Sequence, residues 1–117
     1  MTVLDNVTLG PRKALKLKPT LAEERGRAML RRFGLVFSTV DTTDVAAVRA
    51  ALKTPTKLLW LESPTNPLLC VSDLKAVCAA AREAGALAAV DNTFATPYLQ
   101  SPLSLGADLV VHSTTKY

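Results

Sequence analysis

Two short apolar runs near the carboxyl end of the sequence constrain its fold more than any other feature. They cover residues 86–90 and 109–111, and Pro97, Pro102 and Gly106 between them exclude a long helix. Apolar runs of this length, bounded by turn residues, are typical of strands buried in a parallel sheet. Open α/β sheets bind ligands beyond the carboxyl ends of their strands, so the polar residues after both runs are expected at one edge.

Those polar residues are of the kinds that pyridoxal phosphate requires. Asp91 follows the first run, and Lys116 follows the second. A lysine amine forms a Schiff base with the cofactor aldehyde, and a carboxylate keeps the pyridine nitrogen protonated so that the ring accepts electrons. The hydroxyls of Ser113 and Thr115 are suited to donate hydrogen bonds to a phosphate. The pattern predicts a pyridoxal phosphate site with Asp91 and Lys116 at the same sheet edge.

Four longer motifs follow one another along the second half of the chain. They are E-S-P-T-N-P at 62–67, V-D-N-T-F-A-T-P-Y-L-Q at 90–100, P-L-S-L-G-A-D at 102–108 and H-S-T-T-K-Y at 112–117. In order and spacing they resemble the cystathionine γ-synthase/γ-lyase family, the pyridoxal-phosphate-dependent enzymes of cysteine and methionine metabolism. The resemblance runs from about Phe33 to the end of the sequence.

The resemblance implies roles for residues of the second and fourth motifs. Lys116 matches the family's Schiff-base lysine, the catalytic residue, and Asp91 matches the partner of the pyridine nitrogen. Ser113 and Thr115 match the two residues that bind the cofactor phosphate. Without the resemblance, the plainer interpretations are a solvated lysine, an aspartate capping a turn and ordinary loop hydroxyls.

Four further residues have weaker predicted roles. Thr93 matches the threonine beneath the cofactor ring, and Asn66 matches the asparagine near the ring hydroxyl and the substrate carboxylate, although an Asn-Pro turn is its plain alternative. Glu62 is expected to be a supporting acid. His112, the only histidine, is expected in packing or a hydrogen-bond network and not as a base. A Ser–His–Asp hydrolase is excluded because the sequence has no G-x-S-x-G.

The order of elements predicts an α/β fold in which strands and helices alternate around a mostly parallel sheet. The predicted strands cover residues 35–40, 57–61, 86–90 and 108–111. The resemblance implies that this is part of the large domain of fold-type I, aminotransferase-like enzymes. We expect a basic, poorly matched N-terminal arm and helix at 1–32 and a partial pyridoxal-phosphate-binding domain at 33–117.

Three helices are predicted between and before these strands. A T-x-x-E capping box at Thr20 predicts a helix to about residue 32. Residues 41–44 supply a cap for a second helix, which places Val48 on its apolar face. Ser72 is expected to cap the third, which places Cys78 on a buried face and ends at Gly85.

Charge and composition argue against several classes of protein. The net charge of +4 comes from the front of the chain, because residues 1–33 hold eight Lys/Arg against three Asp/Glu, whereas 34–117 hold six against seven. With only 5% aromatic residues and a near-neutral second half, a nucleic-acid protein is not expected. No apolar run approaches the ~20 residues of a membrane helix. The two cysteines fit no zinc motif, so neither a metal site nor a disulfide is expected, and a cytoplasmic location is expected.

The expected function is that of a transsulfuration-type lyase or transferase, a cystathionine γ-synthase or γ-lyase. The resemblance implies a small amino-acid substrate (a homoserine ester or cystathionine, with cysteine) and a homotetramer. Because the sequence ends one residue after Lys116, we expect an incomplete enzyme that binds the cofactor weakly and exposes apolar surface. The alternatives are a fragment of a longer gene and a non-catalytic truncated paralogue that associates with full-length family members.

Overall fold

The computed structural model describes residues 18–66 and 68–116. The chain divides into two compact units, Met1–Thr39 and Val40–Tyr117. The predicted division after residue 32 remains a prediction.

The described part of the first unit contains helix α1, Pro19–Arg32. The helix is as predicted, but its predicted capping box is wrong: the N-cap is Lys18, which makes no side-chain cap, and Pro19 is the first helical residue. Proline suits that position because its fixed φ is helical and its missing N–H would be unpaired there. At the other end, Gly34 has φ +70°, and its N–H donates to Arg31 O at 2.9 Å. This is a Schellman-type ending, which only a residue tolerant of positive φ closes without strain.

The predicted strand at 35–40 is wrong. These residues have no regular secondary structure, and Val36 is fully exposed. A β-strand forms when a neighbouring strand pairs with its backbone groups, and none of the strands in the described ranges pairs with this segment. Apolar composition alone therefore produced the wrong prediction.

The second unit is built on three parallel strands, β1 Leu58–Glu62, β2 Leu87–Asp91 and β3 Leu109–Val111. They lie side by side in the order β1-β2-β3, which confirms the predicted parallel α/β arrangement. The register places Glu62 opposite Asp91 and Asp91 opposite Val111. All three strands therefore end at the same edge.

Side chains alternate between the two faces of this sheet. The covered face consists of Leu59, Leu61, Ala88 and Val90, all of which are buried in the core. The open face consists of Leu58, Trp60, Leu87, Ala89 and Leu109. Its three leucines are about half exposed, whereas the small Ala89, opposite both Trp60 and Leu109, is buried.

Helices α2, Val45–Ala51, and α3, Leu74–Glu83, supply the rest of the core. Asp44 caps α2 as predicted, accepting from Ala46 N at 2.8 Å and Ala47 N at 3.1 Å. The predicted Ser72 cap of α3 is wrong, because Asp73 accepts from Ala76 N at 3.0 Å in its place. The predicted core faces are confirmed: buried helix residues packing under the covered face are Val48, Leu74, Val77, Cys78 and Ala81.

Two glycines with positive φ lie shortly before β2 and β3. Gly85 has φ +73° and follows α3, as predicted. After β2 the chain forms a short helix α4, Thr96–Leu99, and a 3₁₀ turn, Pro102–Leu105, which ends at Gly106 with φ +101°. No helix in the described ranges is long and apolar enough to cross a membrane.

Candidate active site

The carboxyl edge of the sheet brings together most of the residues that the sequence singled out. The register places Asp91 at this edge, between Glu62 and Val111. Residues that follow directly on the three strands, Ser63, Asn92 and His112, begin the loops on which the candidates lie. The loops after the three strands therefore begin at one edge of the sheet, whereas the predicted proximity of Asp91 and Lys116 remains a prediction.

Asp91 is hydrogen-bonded to Thr93, the candidate residue two positions later in the chain. Its Oδ1 accepts from Thr93 N at 3.0 Å, the bond expected of an aspartate that follows a strand. Both side chains are partly buried. The carboxylate thus has a fixed place at the sheet edge, where it is suited to pair with a basic nitrogen of a ligand.

The loop after β3 is fastened directly to the loop after β2. Ser113 N donates to Thr93 Oγ1 at 2.8 Å. The hydroxyls of Ser113 and Thr115 lie 2.9 Å apart. Two hydroxyls side by side are suited to donate together to an anionic oxygen, because a hydrogen bond to a charged acceptor is stronger than one to a neutral acceptor.

Lys116 and Asn66 lie on the two outer loops of this edge. Lys116 ends the 3₁₀ turn Thr114–Lys116, five residues beyond the Val111 that faces Asp91. Asn66 is exposed on the loop after β1. Among the described residues, no hydrogen bond joins the Asn66 side chain to the Asp91–Thr93–Ser113–Thr115 group.

A partly buried amide network joins these loops, and the sequence analysis missed it. Gln100 Nε2 donates to Ser63 O and to Asn92 Oδ1, each at 2.8 Å. Asn92 is fully buried, and its Nδ2 donates to Gln100 O at 2.9 Å. The same Nδ2 lies 3.3 Å from His112 Nε2, which confirms the expectation that His112 belongs to a network.

The chemistry of this donor set fits pyridoxal phosphate. The cofactor presents an anionic phosphate and a basic pyridine nitrogen; the Ser113–Thr115 hydroxyl pair suits the first, and the Asp91 carboxylate suits the second. Within the described ranges no group of three or more His, Cys, Asp or Glu residues could hold a metal ion.

The amino-acid sequence is similar to those of known proteins. The family model described as "Cys/Met metabolism PLP-dependent enzyme" matches residues 23–117. A probable cystathionine gamma-synthase of Herpetosiphon aurantiacus is 57% identical over 84 residues, which are 72% of this chain and 26% of that protein. The cystathionine gamma-synthase of Escherichia coli (strain K12) is 59% identical over 78 residues, 67% of this chain and 20% of that protein.

The fold of this chain is similar to parts of solved structures. The chain matches a cystathionine gamma synthase from Xanthomonas oryzae pv. oryzae in complex with cystathionine, with a TM-score of 0.72, 47% identity and coverage of 79% of this chain and 24% of that one. It also matches a cystathionine gamma-lyase from Lactobacillus plantarum complexed with L-serine, with a TM-score of 0.70, 53% identity and coverage of 74% and 23%. The chain spans about a quarter of the length of the relatives it matches.

Proposed function

We propose, from the premise that this chain belongs to the family of Cys/Met metabolism PLP-dependent enzymes, that it forms the part of a pyridoxal phosphate site that holds the pyridine nitrogen, the phosphate and the anchoring lysine. The observation that carries the proposal is the hydrogen bond from Ser113 N to Thr93 Oγ1. It fastens the loop of the ring-binding candidates to the loop of the phosphate-binding candidates.

Each residue has a distinct role in this proposal. When bound, pyridoxal phosphate supplies an aldehyde that condenses with amines and a ring that accepts electron density from a substrate carbon. Asp91 keeps a proton on the pyridine nitrogen, and the hydroxyls of Ser113 and Thr115 donate to the phosphate. Thr93 orients the ring from below. Lys116 is the amine that anchors the cofactor and moves the proton at the substrate Cα.

The proposed role of Asn66 and the proposed substrate are inferred from the family. Asn66 would donate to the ring hydroxyl and to the substrate carboxylate. The relative of known structure that holds cystathionine supports a small sulfur-containing amino acid as substrate. We therefore propose a transsulfuration reaction of the cystathionine γ-synthase or γ-lyase type within a cytoplasmic homotetramer, carried out by a protein of which this chain forms part of the site.

Cofactor binding tests the proposal directly. Titration of the 117-residue chain with pyridoxal phosphate should produce an absorbance band distinct from that of the free cofactor, with weak saturation. Borohydride reduction followed by peptide mass spectrometry should place the covalent adduct on Lys116.

Lysine substitutions provide the matched comparison. Lys116→Ala should abolish the new band, whereas Lys53→Ala, at an exposed lysine after α2, should leave it unchanged. A band that persists in Lys116→Ala, or an adduct on another lysine, would contradict the proposed anchor.

The exposed leucines of the open face favour a second candidate function. Leu58, Leu87 and Leu109 are each about half exposed, and apolar side chains gathered on one face are typical of a binding surface. A non-catalytic family member that associates with a longer one would use such a surface. Co-purification with a full-length homologue would support this candidate, and a monodisperse monomer in the homologue's presence would exclude it.

A further inference from the structure

Gln100 links the loops at the carboxyl edge of the sheet. Its side chain and backbone bond to Ser63, directly after β1, and to Asn92, directly after β2. Through Asn92 it reaches His112, directly after β3. We infer that Gln100 is a positioning residue, whose carboxamide fixes the three strand-end loops relative to one another without itself touching substrate or cofactor.

The direction of every hydrogen bond in this network is fixed by two backbone carbonyls. Ser63 O can only accept, so the Gln100 atom facing it is the amide nitrogen. Gln100 O can only accept, so the Asn92 atom facing it is also the amide nitrogen. Asn92 Nδ2 is then a donor towards His112 Nε2. That ring nitrogen therefore accepts, and the proton of the neutral imidazole lies on Nδ1.

The network lies next to candidate residues in sequence at two of the three loops. Asn92 lies between Asp91 and Thr93, and His112 directly precedes Ser113. A buried amide that loses its partners must either move or remain unsatisfied, and either change is costly. Movement of Asn92 would shift Asp91 and Thr93 together, and with Thr93 the bond to Ser113 N. The importance of this effect for catalysis rests on the proposed function, whereas the effect on the loops does not.

Two substitutions remove the carboxamide in different ways. Gln100→Glu keeps the shape but sets a carboxylate against Ser63 O and Asn92 Oδ1, which are both acceptors. Gln100→Met keeps the length and removes both donors. Tyr98→Ala is the matched control, because Tyr98 lies two residues away and its side chain is almost wholly exposed.

Hydrogen exchange distinguishes positioning from general stabilisation. In both Gln100 variants, protection of the Thr93 and Ser113 amides should fall about tenfold or more, while the Val77 amide in the core should stay within about twofold of wild type. Tyr98→Ala should change neither. Equal loss at Val77, including complete unfolding of both variants, or unchanged protection at Thr93 and Ser113, would overturn the inference.

A measurement on the unmodified chain gives an independent answer. Two-bond ¹⁵N–¹H correlations should show His112 with its proton on Nδ1 at neutral pH, and a proton on Nε2 would contradict the network. In the cofactor titration, Gln100→Glu should raise the half-saturation concentration of pyridoxal phosphate about tenfold, the effect of roughly one buried hydrogen bond. If the wild-type chain gives no absorbance band, the proposed function fails, and the exchange and tautomer results still decide the role of Gln100.

Discussion

The two faces of the three-stranded sheet are both apolar, yet their environments differ. On the covered face, Leu61 is 1% exposed, whereas on the open face Leu87 is 53% exposed. The strands therefore do not show the simple alternation of apolar and polar residues that marks a sheet with one face in water. Sheets made of parallel strands are usually buried on both faces, and the open face has the apolar composition typical of such sheets.

The difference in burial between the two faces continues at the carboxyl ends of β1 and β2. Ser63 and Asn92, which continue the alternation of the covered face, are buried and hydrogen-bonded in the Gln100 network. Asp91 and Thr93, which continue the open face, carry the carboxylate and hydroxyl of the candidate site. The comparison indicates that residues continuing the covered face are buried in the hydrogen-bond network, while residues continuing the open face carry polar groups of the candidate site.

The largest expected difference is between two single substitutions at neighbouring residues, Asn92→Asp and Asp91→Asn. Asn92→Asp places a carboxylate at a fully buried position beside the Gln100 carbonyl, so it should lower the free energy of unfolding by about 3 kcal/mol or more. Asp91→Asn keeps the oxygen that accepts from Thr93 N and should change it by less than about 0.5 kcal/mol. Urea denaturation measures both values, and similar losses would erase the contrast between the faces.

A second contrast compares leucines on the two faces. Leu61→Ala removes a fully buried side chain and should cost about 2–5 kcal/mol of unfolding free energy. Leu87→Ala, at a half-exposed position, should cost less than about 1 kcal/mol, because little area is removed from contact. If Leu87→Ala proves as costly in urea denaturation, the open face is covered in the chain as it exists in solution.

The two cysteines give a chemical measure of the same difference. Cys78 is buried under the covered face and Cys70 is exposed. Burial raises the pKa of the Cys78 thiol, and the charge of Asp108 adds to this effect, so its reactive thiolate is scarce. At pH 8, iodoacetamide should modify Cys70 about 100 times faster or more, since Cys78 reacts only through opening of the fold. In urea the two rates should converge; equal rates in the folded chain would mean that the covered face opens readily.

The smallest expected effect lies on the outer surface of the helices. Arg49 of α2 and Glu83 of α3 form an exposed ion pair, whose hydrogen bond, with the charge of Arg49, holds the pKa of Glu83 below its ordinary value of 4.5. The stabilisation is therefore present above that value and is lost as the pH falls through the lowered pKa. Stability curves of wild type and Arg49→Gln should differ slightly near neutrality and converge in acid, once the pH has fallen well below 4.5. Curves that diverge in acid would show that the sign is wrong.

The elements that follow local rules were predictable from the sequence. Asp44 as a helix cap, Gly85 as a helix ending and the helical spacing that buries Val48 and Cys78 each depend on residues within one or two turns. The three strands of the sheet were also predicted to within one residue at each end. The strand predicted at 35–40 was wrong because a strand depends on a partner elsewhere in the chain.

The candidate site divides in the same way. The meeting of Asp91, Thr93, Ser113 and Thr115 could be predicted, because Asp91 ends β2 and the other three follow strands that end at the same edge. Gln100 could not be predicted, because its partners lie 8 and 37 residues away and a single amide leaves no periodic pattern. Helix caps were intermediate: Lys18 and Asp73 hold the N-cap positions predicted for Thr20 and Ser72. Pro19 suits the first position of α1, and Asp73 competes with Ser72 to cap the same backbone groups of α3.

Burial along β2 has a consequence for how this sequence tolerates substitution, because Ala89 is as inaccessible as its neighbours although it lies on the open face. Ala88, Val90 and Asn92 are almost inaccessible to solvent, while Leu87 and Asp91 are partly accessible. In a library of single substitutions selected only for folding, survival should therefore be low at positions 88–90 and 92 and higher at positions 87 and 91. Selection for activity should leave position 87 tolerant and make position 91 intolerant, so a residue needed for chemistry and not for folding would differ between the two selections.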